Sequence, residues 1–242
     1  MAELQSPDIK LDEKIDRLLD LIPAPELSPE LHRKLSGIFG ASLQPVNPLP
    51  AARVMAVQFV SIFVVFAAAL IATMGVAGFR ALHAWQAVGM IAILAAGVSL
   101  LSLVLAWQIR PGSLQKVPAQ LSWTTFGVGF LTGAALLFPW RGVEAFASQG
   151  LPCLLTGSAV AIPGGILLWL LTRRGVPLSA GAFGGTLGAV SGLLGLTVLQ
   201  FRCIHQDAAH VIVWHGGVLL VSIVAGVLTA RVIERTLRST QR

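Results

Sequence analysis

Two cysteines carry the most distinctive chemistry in this sequence, because its 242 residues contain no others. Cys153 and Cys203 could form a structural disulfide or a reversible thiol pair that responds to oxidation. Thiolates and imidazoles are also the usual ligands of zinc and its neighbours. On that interpretation the candidate metal ligands are Cys153, Cys203, His205 and His210. The Cys-x-His spacing is not a zinc signature by itself, so a disulfide or redox pair ranks ahead of a metal site, and all three stay open.

Three rings downstream of Cys203 have a second interpretation. His210 lies seven residues after Cys203, and Trp214 and His215 lie in the next turn. Aromatic and amphipathic rings favour the headgroup depth of a membrane, where one end of the ring is apolar and the other is wet. The sequence therefore leaves open whether these rings anchor the chain at the membrane surface or take part in a site.

Six long stretches without a charged residue must position these groups. Only 12% of the residues are charged and 55% are hydrophobic. The six stretches hold 23 to 29 residues each, and about 20 apolar residues are enough to cross a bilayer as a helix. Because backbone groups in hydrocarbon must be satisfied within their own segment, we predict an all-α polytopic membrane protein with six transmembrane helices. The predicted spans lie near residues 54–76, 84–107, 121–138, 151–171, 178–201 and 210–231.

The basic residues predict the orientation of these spans. Fourteen of the 17 Lys and Arg residues fall in segments on one side, and the loops on the opposite side hold only Arg80, Arg141 and Arg202. The positive-inside rule places the fourteen, and with them both termini, in the cytoplasm. We therefore expect a multi-pass protein of the bacterial inner membrane, with Cys153 and Cys203 at the periplasmic face, where disulfides persist.

The chain divides into three predicted parts. Residues 1–52 form a cytoplasmic helical arm that ends in a Pro-rich linker, residues 53–232 form the transmembrane bundle, and residues 233–242 form a short basic cytoplasmic tail. The arm carries two apolar stripes at helical spacing. These stripes consist of Ile15, Leu18, Ile22, Leu31, Leu35 and Ile38. They could rest on lipid headgroups or bind a cytosolic partner, and periodicity does not separate the two.

The predicted fifth helix is rich in glycine on one face. Gly184, Gly188 and Gly192 recur every four residues. Small residues at this spacing let two helix backbones approach closely in a membrane. We therefore expect the fifth helix to lie in the centre of the bundle.

Several classes of function are disfavoured by what the sequence lacks. The predicted spans contain no charged residue at mid-membrane depth, where ion-coupled carriers and proton relays usually keep one. No nucleotide-binding, hydrolase or protease motif occurs, so we expect no enzymatic activity and no cofactor, apart from the candidate metal ion at the outer face. No basic patch is interleaved with aromatic residues, so we expect no direct contact with nucleic acid.

Three consecutive pieces of the chain resemble the NrsF-like family of six-helix membrane anti-sigma factors. They are the turn Arg173-Arg174-Gly175-Val176-Pro177-Leu178, the Gly-rich helix after it, and residues 202–215 from Arg202-Cys203 to Trp214-His215. A Cys at the start of the fourth helix, here Cys153, also fits the family's pattern. The resemblance implies an arm that sequesters an extracytoplasmic-function sigma factor through the two apolar stripes, and a periplasmic signal sensed near the cysteines. The alternatives from other classes are a membrane thiol-disulfide enzyme and a small-molecule or metal permease.

Overall fold

The computed structural model describes residues 28–42, 50–110, 118–140, 146–173, 175, 177 and 179–240. Within those residues all regular structure is helical and no strand occurs, which confirms the all-α class. The chain separates into two units, Met1–Pro48 and Leu49–Arg242.

The described element of the first unit is helix α1, Pro29–Ser42. The side chain of Ser28 caps its start by accepting a hydrogen bond from the backbone N–H of Leu31 at 3.2 Å, and Pro29 suits the first helical position. Leu31 is exposed. Leu35 and Ile38 also belong to this helix. The first stripe, Ile15, Leu18 and Ile22, lies outside the described residues.

The second unit consists of long helices joined by short connections. The helices are α2 (Ala52–Met74), α3 (Ala77–Arg80), α4 (Ala84–Gln108), α5 (Ala119–Leu137), α6 (Phe146–Thr172), α7 (Ala180–Arg202), α8 (Ala208–His210) and α9 (Gly216–Thr240). A π-helical turn, Val211–His215, joins α8 to α9 without a break. Each of the six predicted spans overlaps one long helix. The last helix runs further than predicted, because α9 continues through most of the segment expected to be a tail.

Five helical stretches are long and apolar enough to cross a membrane. They are Ala52–Met74, Ala84–Gln108, Phe146–Thr172, Ala180–Arg202 and Ala208–Thr236. Helix α5 is the exception among the six long helices. The first turn and a half of its 19 residues contains Gln120, Ser122 and Trp123, which lower its mean hydropathy. A membrane span by α5, the third of the six predicted spans, therefore stays a prediction. It rests on the charge-free stretch around α5.

Helix α7 lies in the centre of the second unit, as its glycine pattern predicts. Of its apolar stretch, 83% is buried, against 22–44% for the other four candidate spans. It packs against α2, α4, α5, α6 and α9. The other helices expose Val, Leu and Ile side chains on their outer faces, such as Val65 on α2 and Leu136 on α5. Apolar side chains on the outside of a helical bundle suit contact with lipid.

Glycines make the contact between α7 and α9 close. A Cβ atom built on Gly188 would collide with the backbone carbonyl of Ser222, and one on Gly184 would collide with the carbonyl of Gly226. A Cβ on Gly192 would lie 2.8 Å from Cβ of Ser222. Because backbone atoms fill the space where side chains would begin, the two helices can meet at this distance only with glycine at these positions.

A hydrogen bond between side chains joins α5 to the central helix. Nε1 of Trp123 donates to Oγ1 of Thr186 at 3.0 Å, and the indole ring fills the space beside Gly185. We expect Trp123→Phe to lower the free energy of unfolding by about 0.5–1.5 kcal/mol, because one interhelical hydrogen bond is lost while most of the ring remains.

The measurement is denaturant-induced unfolding of the purified protein in micelles. The matched control is Trp140→Phe, because Trp140 is exposed and donates to the carbonyl of Ala135 one turn back along its own chain segment. A loss of stability of the same size in both variants would contradict an interhelical role for the Trp123 indole.

A buried cluster of thiols and imidazoles

Four side chains from separate elements meet at one end of the helical unit. Cys153 lies two turns inside α6, Cys203 lies in the connection after α7, His210 ends α8 and His215 ends the π-helical turn. One ligand atom from each residue can be chosen so that all four atoms lie within 4.8 Å of one another. Cys153 is half-buried, Cys203 is 7% exposed and both imidazoles are fully buried. We call these four residues the Cys/His cluster.

Two close contacts in the cluster involve Cys203. Its Sγ lies 3.5 Å from Sγ of Cys153 and 3.5 Å from Nε2 of His210. The rings of His210 and His215 meet edge to face, with centroids 5.3 Å apart. The two cysteines are free thiols, at a separation well above the roughly 2.05 Å of a disulfide bond. The arrangement can therefore support thiol oxidation or bind a cation between the sulfur and nitrogen atoms.

The π-helical turn explains how His210 and His215 come together. In an α-helix, five residues turn the chain by about 500°, which leaves the two side chains roughly 140° apart. Here the backbone N–H of Gly216 bonds to the carbonyl of Val211, five residues back, as in a π-helix. The wider turn brings residues five apart closer to the same face. Single π turns of this kind are frequent at functional sites.

A chain of side-chain amides fixes the protonation of His215. Nε2 of Gln206 lies 2.6 Å from the backbone carbonyl of Cys203 and 3.4 Å from that of Gln200. Carbonyl oxygens only accept, so this atom is the amide nitrogen, and Oε1 of Gln206 accepts from Nε2 of Gln200 at 2.7 Å. Oε1 of Gln200 then faces Nδ1 of His215 at 3.3 Å. Because that oxygen only accepts, Nδ1 carries the hydrogen.

The same chain leaves Nε2 of His215 without a partner, and Nδ1 of His210 is also buried without one in the described residues. A neutral imidazole has a single N–H, so Nε2 of His215 carries a lone pair and no hydrogen. This atom is buried and makes no hydrogen bond within the described residues. Buried polar atoms are nearly always satisfied, and an exception at a candidate site indicates a function or a bound group.

Contacts with neighbouring segments hold the connection that carries Cys203. The side chain of Asp207 accepts from the backbone N–H of His210 at 2.9 Å and caps α8, and the N–H of Ala208 donates to the carbonyl of Pro139 at 3.0 Å. A Cβ on Gly78 of α3 would collide with the carbonyl of Cys203. The backbone of α3 therefore lies directly against this connection.

The environment of Cys203 disfavours its thiolate. The contact with the Cys153 thiol, and next its burial, raise the pKa of the Cys203 thiol above its usual range. Reactive cysteines usually have a lowered pKa and are accessible. Cys203 lacks both properties, because it is buried and its pKa is raised.

The structure brings three of the four candidate metal ligands together and replaces the fourth. Cys153, Cys203 and His210 belong to the cluster, but His205 does not. The ring of His205 lies beside that of His210, with centroids 5.4 Å apart, and His215 takes the fourth position. The rings of His210 and His215 are buried inside the protein, so they do not face lipid headgroups. The spacing of His215 from His210 gave no signal, because a π turn is not visible in the pattern of apolar residues.

Trp214 lies beside α6. Its ring packs against Phe146 with centroids 5.3 Å apart, and a Cβ on Gly150 would collide with the indole. Helix α6 begins seven residues before Cys153, so this cysteine lies within the helix rather than at its start. Gln200 and Gln206 are the residues that the sequence analysis missed, since isolated glutamines near a helix end carry no motif.

These features define a helical membrane protein with a buried Cys/His cluster at one end of its bundle. The family model for NrsF, the negative regulator of sigma F, matches residues 40–236. The chain belongs to this family, which confirms the resemblance found in the sequence. Neither a curated protein nor a solved structure matches the chain.

Proposed function

We propose that this protein is a membrane-bound anti-sigma factor. It sequesters an extracytoplasmic-function sigma factor at the cytoplasmic face of the bacterial inner membrane and releases it on a periplasmic signal sensed at Cys153 and Cys203. The observation that carries the proposal is the match of the negative-regulator family over residues 40–236. The proposal includes six spans, with α5 as the third, so that both termini lie in the cytoplasm.

The contacts of α3 support a signal that crosses the membrane. Helix α3 directly follows α2 and touches the connection that carries Cys203. The C-terminal end of α2 therefore lies near the cluster, and its N-terminal end, where the arm is attached, lies a helix length away. The 23 residues of α2 correspond to about 35 Å, or roughly one bilayer core. The positive charge of Arg53 supports a cytoplasmic position for the arm's attachment point, by the positive-inside rule.

Helix α7 is the element best placed to connect the two faces. Its C-terminal end leads directly into Cys203, and it runs through the centre of the bundle against α9. A signal at the cluster must change the relative free energies of two packing states that bind the sigma factor differently, because a signal that binds both states equally shifts nothing. A small displacement of α7 along its glycine contact with α9 would supply such a pair of states.

A thiol-disulfide enzyme is the main alternative, because two thiols lie 3.5 Å apart. We propose that the protein has no enzymatic activity. An oxidoreductase needs an accessible thiolate that attacks its substrate, whereas Cys203 and the two imidazoles beside it are buried.

A permease is less well supported. The groove between α6, α7 and α9 has a volume of about 830 Å³ and is lined mainly by Ala, Gly and Ile. Its polar groups are a few hydroxyls and Glu234 near the end of α9. Transport of an ion or polar solute needs polar groups at mid-membrane depth, and this groove offers only hydroxyls there.

Binding of a sigma factor to the full-length protein in micelles tests the proposal. Purified extracytoplasmic-function sigma factors from the same genome serve as the ligands. We expect one of them to bind wild type and to bind the triple variant Ile15→Asp, Leu18→Asp, Leu35→Asp at least a hundredfold more weakly. Each of these apolar side chains contributes about 1.5–3 kcal/mol when it is buried against a partner.

The control variant carries Lys14→Gln and Asp16→Asn, which change the polar positions of the same arm, and it should bind as wild type does. Binding that survives the triple substitution would assign the stripes to lipid and place the sigma-factor contact elsewhere. Failure of wild type to bind any of these sigma factors would reject the anti-sigma proposal and favour the thiol-disulfide alternative.

A further inference from the structure

The four ligand atoms of the Cys/His cluster lie close enough together to share one cation. A tetrahedral zinc site has Zn–S bonds of about 2.3 Å and Zn–N bonds of about 2.0–2.1 Å, so its ligand atoms lie roughly 3.3–3.8 Å apart. The two distances from Sγ of Cys203 are both 3.5 Å, and the largest separation among the four atoms is within 4.8 Å. Small rotations of the side chains would close the longer distances.

We propose that Cys153, Cys203, His210 and His215 bind one zinc-class cation, with Gln200 as a positioning residue. The observation that points to a ligand is the buried lone pair on Nε2 of His215. The amide chain from the Cys203 carbonyl through Gln206 and Gln200 holds the hydrogen on Nδ1. Metal-ligating histidines almost always donate their other N–H in this way, which fixes the ring and its tautomer.

Charge balance favours a divalent cation at this depth. Two thiolates and two neutral imidazoles carry a total charge of −2, so a bound Zn²⁺ gives a site with no net charge. An isolated charge is costly to bury, and His210 and His215 have no exposed surface. On binding, each cysteine gives up its proton to solvent and a metal–sulfur bond forms, with no change in oxidation state.

The donor set selects the class of metal. Two soft sulfur and two borderline nitrogen donors suit Zn²⁺ and its softer relatives and disfavour Mg²⁺ and Ca²⁺, which prefer oxygen. Four protein ligands leave no open position for substrate, as in structural zinc sites and unlike catalytic ones. The inference concerns binding alone and does not depend on the proposed regulation of a sigma factor.

Metal analysis of the full-length protein, purified in micelles with reductant and loaded with Zn²⁺, tests the site. We expect about one zinc per chain in wild type. We expect Cys153→Ser and His215→Gln to lose at least nine tenths of it under the same dialysis. The matched control is His205→Ala, which should keep the metal, because His205 lies beside the cluster without belonging to it.

Gln200→Leu tests the positioning role separately. It leaves all four ligands in place, so we expect it to keep the tetrahedral spectrum of bound Co²⁺ and to weaken the affinity tenfold to a hundredfold. Unchanged affinity would remove Gln200 from the inference.

Measurements on wild type alone keep the proposal testable if a ligand variant fails to fold. Co²⁺ should give thiolate-to-metal charge-transfer absorption and the intense visible bands of a tetrahedral site. Both thiols should react with a thiol reagent more slowly in the zinc-loaded protein than after a chelator has removed the metal. The proposal would be overturned if wild type held no zinc after incubation with Zn²⁺ and dialysis. It would also be overturned if both ligand variants kept their zinc while His205→Ala lost it.

Discussion

Replacement of Cys153 by serine is expected to leave the protein in the membrane and to abolish signal-dependent release of the sigma factor. The helices are specified by long apolar stretches, which one sulfur atom does not change. The thiol itself lies 3.5 Å from Sγ of Cys203, so its loss removes any chemistry that needs both sulfurs. We therefore expect the ratio of sigma-dependent reporter activity with and without diamide to fall to about one. Without the thiol, diamide no longer favours one of the two packing states over the other.

The measurement is a reporter assay in cells that carry the chromosomal gene with Cys153→Ser, or with Cys203→Ser, beside wild type. Membrane fractions probed for the protein show whether insertion is retained. His205→Ala is the matched control and should respond as wild type does, because its ring lies outside the cluster. Full induction by diamide in both cysteine variants would separate the cluster from the signal. Loss of the protein from the membrane in both would assign the cysteines a structural role instead.

Introduction of one methyl group at Gly188 is expected to disrupt the packing of the bundle. In Gly188→Ala the new Cβ would collide with the backbone carbonyl of Ser222. A backbone atom cannot rotate away as the end of a side chain can, so α7 and α9 must separate along their contact. We expect the free energy of unfolding to fall by about 1–3 kcal/mol, the usual range for overpacking.

Gly129→Ala on α5 is the matched control. A Cβ at Gly129 would have no other atom within 4 Å, so the substitution should change stability by no more than about 0.5 kcal/mol and could raise it through helix propensity. Denaturant titration in micelles, followed by circular dichroism, measures both variants. Equal stability of Gly188→Ala and Gly129→Ala would show that α7 and α9 lie farther apart than they do in the structure.

The sequence by itself determined which segments are helical and which helix is central. A charged group in hydrocarbon is costly and unpaired backbone groups are not tolerated there, so each long charge-free stretch predicts its own helix. The glycine repeat at Gly184, Gly188 and Gly192 is equally local, since a four-residue spacing puts small residues on one face. The alternation of spans also predicts that Cys153 and Cys203 share one end of the bundle.

The membership of the cluster was decided only by the tertiary structure. His205 follows Cys203 closely in sequence, yet it lies beside the site, whereas His215 enters it because a π turn widens the helix after His210. An α turn and a π turn differ by small differences in free energy, and no residue type predicts which of them forms. Gln200 and Gln206 likewise acquire a role only through carbonyls and rings from elsewhere in the fold. Spacing along the chain fixes local periodicity, but the atoms that surround a site depend on how separate elements pack.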